Sequence, residues 1–375
     1  MITSLSINNF KIFKASPYVR LGRCTLLTGV NGRGKSSFMQ TLLLLSQSIR
    51  EDMGHSPLNL KLNGNWIKLG LYNEIKNKES ELGQPIQIHF LTDDLTEKDY
   101  LLSYSAVEDN KEYGLLTSML VDGKETFGEP GGYTGNAELP SERVAPIFSG
   151  YTSLLNLQNL YYISASRNAA NFEEQIDHHY NWLDCNGKNI INVIYNQGEE
   201  FQKELEKHLS DIFGGATFRI QVVDKSLRLF MDSCDNGSSY RPVNVGYGYG
   251  YLLSLITAGM LAKRNEILIV ENPEAHLHPS AQAAMMNFIF KSVVPKGVQV
   301  LMETHSDHIV DASLIAVRRE EISNDELQII FFSSNADQCG VTVQNLDITK
   351  KGRVKNPPSN FCDQYAIDMK ELMGF

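Results

Sequence analysis

Two short segments hold the residues whose types and spacing can do chemistry. Gly29-Val30-Asn31-Gly32-Arg33-Gly34-Lys35-Ser36 fits the pattern G-x-x-x-x-G-K-[ST] without a mismatch. Glycines at such positions let backbone N–H groups turn inward around an anionic phosphate, with the positive end of the next helix behind them. The lysine bridges the β- and γ-phosphates, and the hydroxyl after it ligates Mg²⁺. The pattern therefore assigns Asn31, Gly32, Gly34, Lys35, Ser36 and Ser37 to a nucleoside triphosphate and Ser36 to the metal.

The second segment, Ile267-Leu268-Ile269-Val270-Glu271-Asn272-Pro273-Glu274, is four apolar residues followed by acid. A carboxylate at the C-terminal end of a parallel strand lies beside a phosphate loop and holds Mg²⁺ through water, which makes Glu271 the second metal candidate. Val300–Ser306 repeats the design as a buried strand with a polar tip, and His305 is placed to sense a γ-phosphate. Upstream, Val245–Gly250 opens a helix at Tyr251–Leu261, and a glycine-opened helix start is another anion-binding device. One chain does not need two such devices for the same phosphates. The economical arrangement is a dimer in which the second reaches the partner's nucleotide.

These loops need strands and helices to hold them. Thr25–Thr28 reads as a strand, and Phe38, Leu42, Leu45 and Ile49 recur at helical spacing. Ile2–Ile7 and Tyr18–Leu21 are strand-like, and Ile86–Leu91, Leu101–Val107 and Leu115–Val121 read as an antiparallel sheet. Gly123–Val144 is expected to be a mobile surface loop. Leu160–Ser164 is a short strand, 187–213 is helical, and Thr217–Val222 with Ser226–Met231 forms a hairpin. From Asn244 the pattern alternates strand and helix. Ile267–Val270, Val298–Met302 and Leu327–Phe332 are its strands, and Ala281, Ala284, Met285, Phe288 and Ile289 line a helix after Pro279. The tail, Val354–Phe375, turns at Pro357-Pro358 and ends in a short amphipathic helix.

Taken together, the phosphate loop, the Gly-rich segment before the acidic strand, Pro273-Glu274-Ala275-His276-Leu277-His278-Pro279 and Glu303-Thr304-His305-Ser306-Asp307 resemble the OLD-like and RecF-like ABC ATPases. These are compact AAA-type P-loop ATPases found in bacterial anti-phage defence systems. The likeness is strongest over 22–45 and 243–311. It implies an α/β fold of the ABC-ATPase head type: a mixed central sheet with an antiparallel β lobe and an inserted helical lobe. Residues 1–60 and 243–350 would form the nucleotide-binding core, 61–242 the inserted lobes and 351–375 a tail.

By the same resemblance the nucleotide is ATP with Mg²⁺, Gly246 and Gly248 form a signature acting across a homodimer, and His305 is the switch histidine. The activity implied is an ATP-binding and ATP-hydrolysing switch in anti-phage defence, controlling a separate effector such as a nuclease or toxin. The chain departs from the pattern in two places. Val-Gly-Tyr-Gly lacks the serine of Leu-Ser-Gly-Gly, and Asn272 stands where the acidic pair has its second carboxylate. An amide cannot act as a general base, so the catalytic candidates are Glu271, Glu274 and His305. Two alternatives remain open: a RecF-like DNA-repair ATPase with salt-sensitive DNA binding, and an ATP-bound scaffold without turnover.

Bulk properties narrow the field. A net charge of −10 excludes a surface that is basic all over, so any nucleic-acid contact must be local. Five scattered cysteines without C-x-x-C spacing suit a reducing compartment, and no apolar run is long enough to span a bilayer. Without a signal-peptide pattern, the expected location is the cytoplasm. Residues 50–240 hold no sustained heptads, which sets aside a long coiled-coil protein. Several residues also have plainer readings. His276 and His278 with His305 and His308 could suggest a metal site, but no cysteine or aspartate completes the set, and the resemblance implies that His276 and His278 order the loop after the acidic strand and touch the dimer interface. Arg33 and Arg167 stand evenly between a phosphate or partner contact and ordinary solvation. The tyrosines of Gly246–Tyr251 read as packing on a partner, and Glu199–Ile212 as a solvated helix.

Overall fold

Alternating burial organises the first part of the chain. In the computed structural model, residues 52–58, 82, 94–97, 108–111, 129–156, 168–170, 234–236, 238, 335–339 and 375 lie outside the described residues. Strands β1 (Ile2–Phe10), β2 (Phe13–Ala15) and β3 (Val19–Arg20) lead to β4 (Cys24–Gly29), which is buried along nearly its whole length. The chain then turns into α1 (Lys35–Glu51). After β5 (Leu60–Lys61) and the single-turn α2 (Tyr72–Ile75) come β6 (Ile86–Thr92), β7 (Lys98–Ala106), β8 (Tyr113–Val121) and β9 (Lys124–Gly128). They form a sheet in the order β2-β1-β6-β7-β8-β5, with β3 on β1 and β9 on β8. Every second residue of β6 is buried, as expected of a sheet with one face on a core.

Helix α1 is fixed by a side chain as well as by its apolar face. The buried Gln47 accepts from the Trp66 and Ile67 amides at 3.2 and 3.0 Å and donates to the Lys61 carbonyl at 2.8 Å. A buried amide satisfied on both ends holds the following loop against the phosphate-loop helix.

Strand β10 (Leu160–Ile163) begins at the boundary between two compact units. The first comprises Met1–Leu160, Asp325–Thr349 and Arg353–Phe375, and the second Tyr161–Asn324 and Lys350–Gly352. In the second unit β11 (Glu173–Gln175) precedes α3 (Ile190–Asn196) and α4 (Glu199–Phe213). The hairpin β12 (Thr217–Val223) and β13 (Ser226–Asp232) pairs with β11 as a three-stranded antiparallel sheet. Next come α5 (Tyr247–Leu261), β14 (Ile267–Glu271), α6 (Pro279–Phe288), β15 (Gln299–Glu303) and α7 (Asp307–Arg318). Strands β14 and β15 are parallel and in register from Ile267↔Gln299 to Glu271↔Glu303. Back in the first unit, β16 (Leu327–Ser334) runs parallel to β4 and antiparallel to β17 (Val341–Asn345), and α8 (Gln364–Leu372) closes the chain.

Four expectations need correction. Lys124–Gly128 is a strand paired with β8, not loop, and residues 129–144 lie outside the described residues. The helical stretch 187–213 is two helices, parted at Gln197-Gly198. Glu199–Ile212 is not solvated all round, because Leu205, Leu209 and Ile212 are buried at helical spacing. Helix α5 starts at Tyr247 rather than Tyr251, so Gly248 and Gly250 lie inside it.

Candidate functional site

The phosphate loop follows a buried strand and ends in a helix whose first turn holds no acidic side chain, so the positive helix end is uncompensated. Lys35 is 3% exposed, and its ammonium donates to the Gly29 and Val30 carbonyls at 2.8 and 3.0 Å. It thus lies across the neck of the loop. Gly34 has φ +96°, and a Cβ there would stand 2.6 Å from Phe13 Cζ and 3.0 Å from Ile12 Cγ2. Only glycine meets both conditions. Asn31, Gly32 and Ser36 are exposed, and Ser37 is half-buried. A buried ammonium, an exposed serine and a glycine-rich turn at a helix start form a set suited to a triphosphate and its Mg²⁺.

The acidic set belongs to the second unit. Four apolar residues of β14 are buried, and the strand delivers Glu271 half-buried at its end, beside Glu303 on β15. Glu271 Oε2 accepts from the Ala165 amide at 3.1 Å, and the Tyr162 hydroxyl also bonds its carboxylate. Burial, then the charge of Glu271, pushes the Tyr162 hydroxyl well above the usual tyrosine range, so it stays a neutral donor. Asn272 takes φ +43°, and its amide donates to the Glu303 carbonyl at 2.9 Å.

Glu274 has both carboxylate oxygens engaged. Oε2 accepts from the Thr304 hydroxyl at 2.8 Å and Oε1 from the His305 amide at 2.9 Å. The His305 ring is exposed, and Ser306 caps α7 by accepting from the His308 amide at 3.2 Å. Asp307 is the first residue of that helix. His278 caps α6, with Nδ1 accepting from the Ser280 amide at 3.3 Å. Among the described residues, no group of three or more His, Cys, Asp or Glu side chains is placed to hold a metal ion.

Gly246 is exposed at the start of α5, whereas Gly248 is buried, and a Cβ on it would stand 2.6 Å from the His276 carbonyl oxygen. The tyrosines of this segment differ from one another. Tyr249 stacks on Phe213 with centroids 4.1 Å apart, and Tyr251 meets the His276 ring edge-on at 4.8 Å. Both pack within the unit. Tyr247 is 55% exposed.

Arg167 is the residue that sequence reasoning undervalued, since it is not solvated at all. It is 1% exposed and donates to the carbonyls of Ser164, Glu271 and Asn272 at 3.0, 2.9 and 3.1 Å. Burial pulls its pKa down to about 10, against the raising effects of Tyr251, Glu274 and Glu271, so the guanidinium stays charged near neutrality. The sequence held one signal: the only arginine of the segment follows a short apolar strand at its polar end.

Residues 151–310 match the family model of the AAA ATPase domain, a span that includes Arg167, Glu271, Glu274 and His305 and leaves out the phosphate loop. No curated protein matches the sequence. Among solved structures, the SMC head bound to the C-winged helix domain of ScpA has a TM-score of 0.52 at 13% identity, covering 93% of this chain and 98% of that one. The SMC head domain from Thermotoga maritima has a TM-score of 0.49 at 12% identity, covering 92% and 99%. Among the described residues, no helix is long and apolar enough to cross a membrane. The fold is that of a P-loop NTPase of the ABC-head type, a mixed α/β fold with several sheets, and the match of residues 151–310 to the AAA ATPase domain supports an ATPase.

Proposed function

We propose that this chain is an ATP-driven switch that dimerises around ATP and acts on a separate effector protein, such as a nuclease or toxin, in anti-phage defence. The observation that carries the nucleotide part is Lys35, buried across the neck of a glycine loop ahead of an acid-free helix start. Residues 1–60 and 243–350 would supply the nucleotide-binding core. Lys35 and the loop amides of Asn31–Ser37 would hold the phosphates, and Ser36 with Glu271 would hold Mg²⁺, which supplies charge neutralisation on the phosphoryl oxygens. Gly246, exposed at the start of α5, would face the partner's nucleotide, with the buried Gly248 seating that helix start on the His276 carbonyl, and His305 would follow the γ-phosphate. The defence role rests on the resemblance of the motif set to OLD-like ATPases.

Asn272 favours a second reading, in which ATP is held without turnover. Its side-chain amide cannot take a proton, both oxygens of Glu274 are committed to Thr304 and His305, and the Glu271 carboxylate is itself engaged by the Ala165 amide and the Tyr162 hydroxyl. ATP turnover, ATP retention and solution mass, measured together on the wild type and Lys35→Ala, test both readings. Turnover and ATP-dependent dimerisation that vanish in Lys35→Ala support the switch. Retention without turnover supports the scaffold, and ATP binding unchanged by Lys35→Ala overturns both.

A further inference from the structure

We infer that Arg167 is a positioning residue that ties the glycine-opened start of α5 to the acid-bearing end of β14, so that the state of that helix sets the geometry of Glu271 and Asn272. The inference deepens the ATP-switch reading and rests on it for its kinetic arm alone.

A buried guanidinium is unfavourable unless its N–H groups find acceptors. In Arg167 Nη1 and Nη2 find them in three backbone carbonyls, two of which belong to Glu271 and Asn272, while the buried Nε has no acceptor among the described residues. It therefore supports the main chain of the strand end and leaves the Glu271 carboxylate to the Ala165 amide and the Tyr162 hydroxyl. Charge neutralisation and carboxylate access are kept apart. Asn272 needs this support, because its left-handed φ of +43° is held from both sides: its amide by the Glu303 carbonyl, its carbonyl by Arg167.

The same guanidinium lies on the ring of Tyr251, with Cζ 4.9 Å from the centroid. Tyr251 also meets His276, and Gly248, one turn earlier on α5, rests against the His276 carbonyl. The first turns of α5 therefore touch both the loop after β14 and the arginine that holds the strand end. A shift of α5 reaches Glu271 and Asn272 through one rigid planar group. Lysine has a single nitrogen and no planar fork, so it cannot hold three carbonyls in this geometry.

The test uses Arg167→Lys, Tyr251→Leu and the double variant in the full chain, with hydrogen exchange and ATP kinetics as readouts. Tyr251→Leu is expected to speed exchange in 271–276 as well as in α5, although Tyr251 lies outside that segment. Arg167→Lys should lower kcat about tenfold, the scale of a lost charged hydrogen bond, and leave KM within about twofold. The double variant should lose little more than Arg167→Lys. Faster exchange confined to α5 in Tyr251→Leu, or a raised KM with unchanged kcat in Arg167→Lys, would overturn the inference. If Arg167→Lys fails to fold, exchange in Tyr251→Leu decides alone. A wild type without turnover would count against the hydrolysing switch, and exchange would still settle the coupling.

Discussion

The Thr304 hydroxyl donates to Glu274 Oε2 at 2.8 Å, and the next amide in the chain, that of His305, takes the other oxygen at 2.9 Å. One carboxylate thus fixes the tip of β15, and with it the placement of His305. A residue so engaged suits a positioning role better than that of a base.

That relationship separates the two acids by experiment. Glu274→Gln keeps an acceptor for the His305 amide, and the Thr304 hydroxyl can rotate to accept from the new amide group. Turnover in Glu274→Gln should therefore stay within about fivefold of wild type, whereas Glu271→Gln should lose about 100-fold or more while ATP is retained. Single-turnover assays with bound nucleotide quantified decide this. Equal losses in the two variants would give Glu274 a direct catalytic role.

Gly34→Ala tests the phosphate loop. The added methyl would meet Phe13 and Ile12 at φ +96°, whereas Gly32 at φ +72° has nothing within 4 Å. Gly34→Ala is expected to weaken ATP binding more than tenfold, with strain on the order of 1–3 kcal/mol, and Gly32→Ala to have the milder effect. Equilibrium dialysis with a non-hydrolysable ATP analogue reads both. The reverse order would mean that the loop changes shape on binding.

His208 makes stability depend on pH. Burial lowers its pKa below the usual 6.5, an effect that the charges of Glu204 and Asp211 oppose. The unfolded chain then binds the proton more readily than the folded one, so stability rises with pH through this window and is lost as pH falls below about 6.5. The His208 ring packs edge-on to Phe288 at 4.7 Å, so His208→Phe should keep the packing and flatten this part of the profile. Melting temperatures between pH 5 and 8 check it. A profile unchanged in the variant would assign the dependence to other groups.

Leu209→Ala tests the buried face of α4. Leu209 is fully buried, so the cavity should lower stability by about 2–5 kcal/mol. Alanine at the exposed Glu200 should stay within about 0.5 kcal/mol. Chemical denaturation midpoints distinguish the two. A neutral Leu209→Ala would show that α4 is held by its hairpin and not by its own apolar stripe.

The phosphate loop was legible because its residues are contiguous, and its chemistry is that of the backbone and of one lysine at fixed spacing. Strands β4, β6, β14 and β15 were legible for a related reason, since burial on one or both faces writes a short-range pattern. Glu271 followed from its place after such a strand. Helix boundaries were less certain. The tyrosines of α5 hid an early helix start, because glycines at Gly248 and Gly250 argue locally against a helix that close packing favours.

By itself the sequence determined where a glycine loop runs from a buried strand into a helix and which strands end in acid. The tertiary structure alone decided the work of Arg167, Thr304 and Tyr251. Arg167 bonds residues 104 and 105 positions away, and Thr304 reaches Glu274 across 30. Such bonds leave no periodic trace, because they depend on where two separate strand ends arrive and on how much water is excluded there. An arginine in a sequence is a solvated charge until the fold supplies the carbonyls that make its burial favourable.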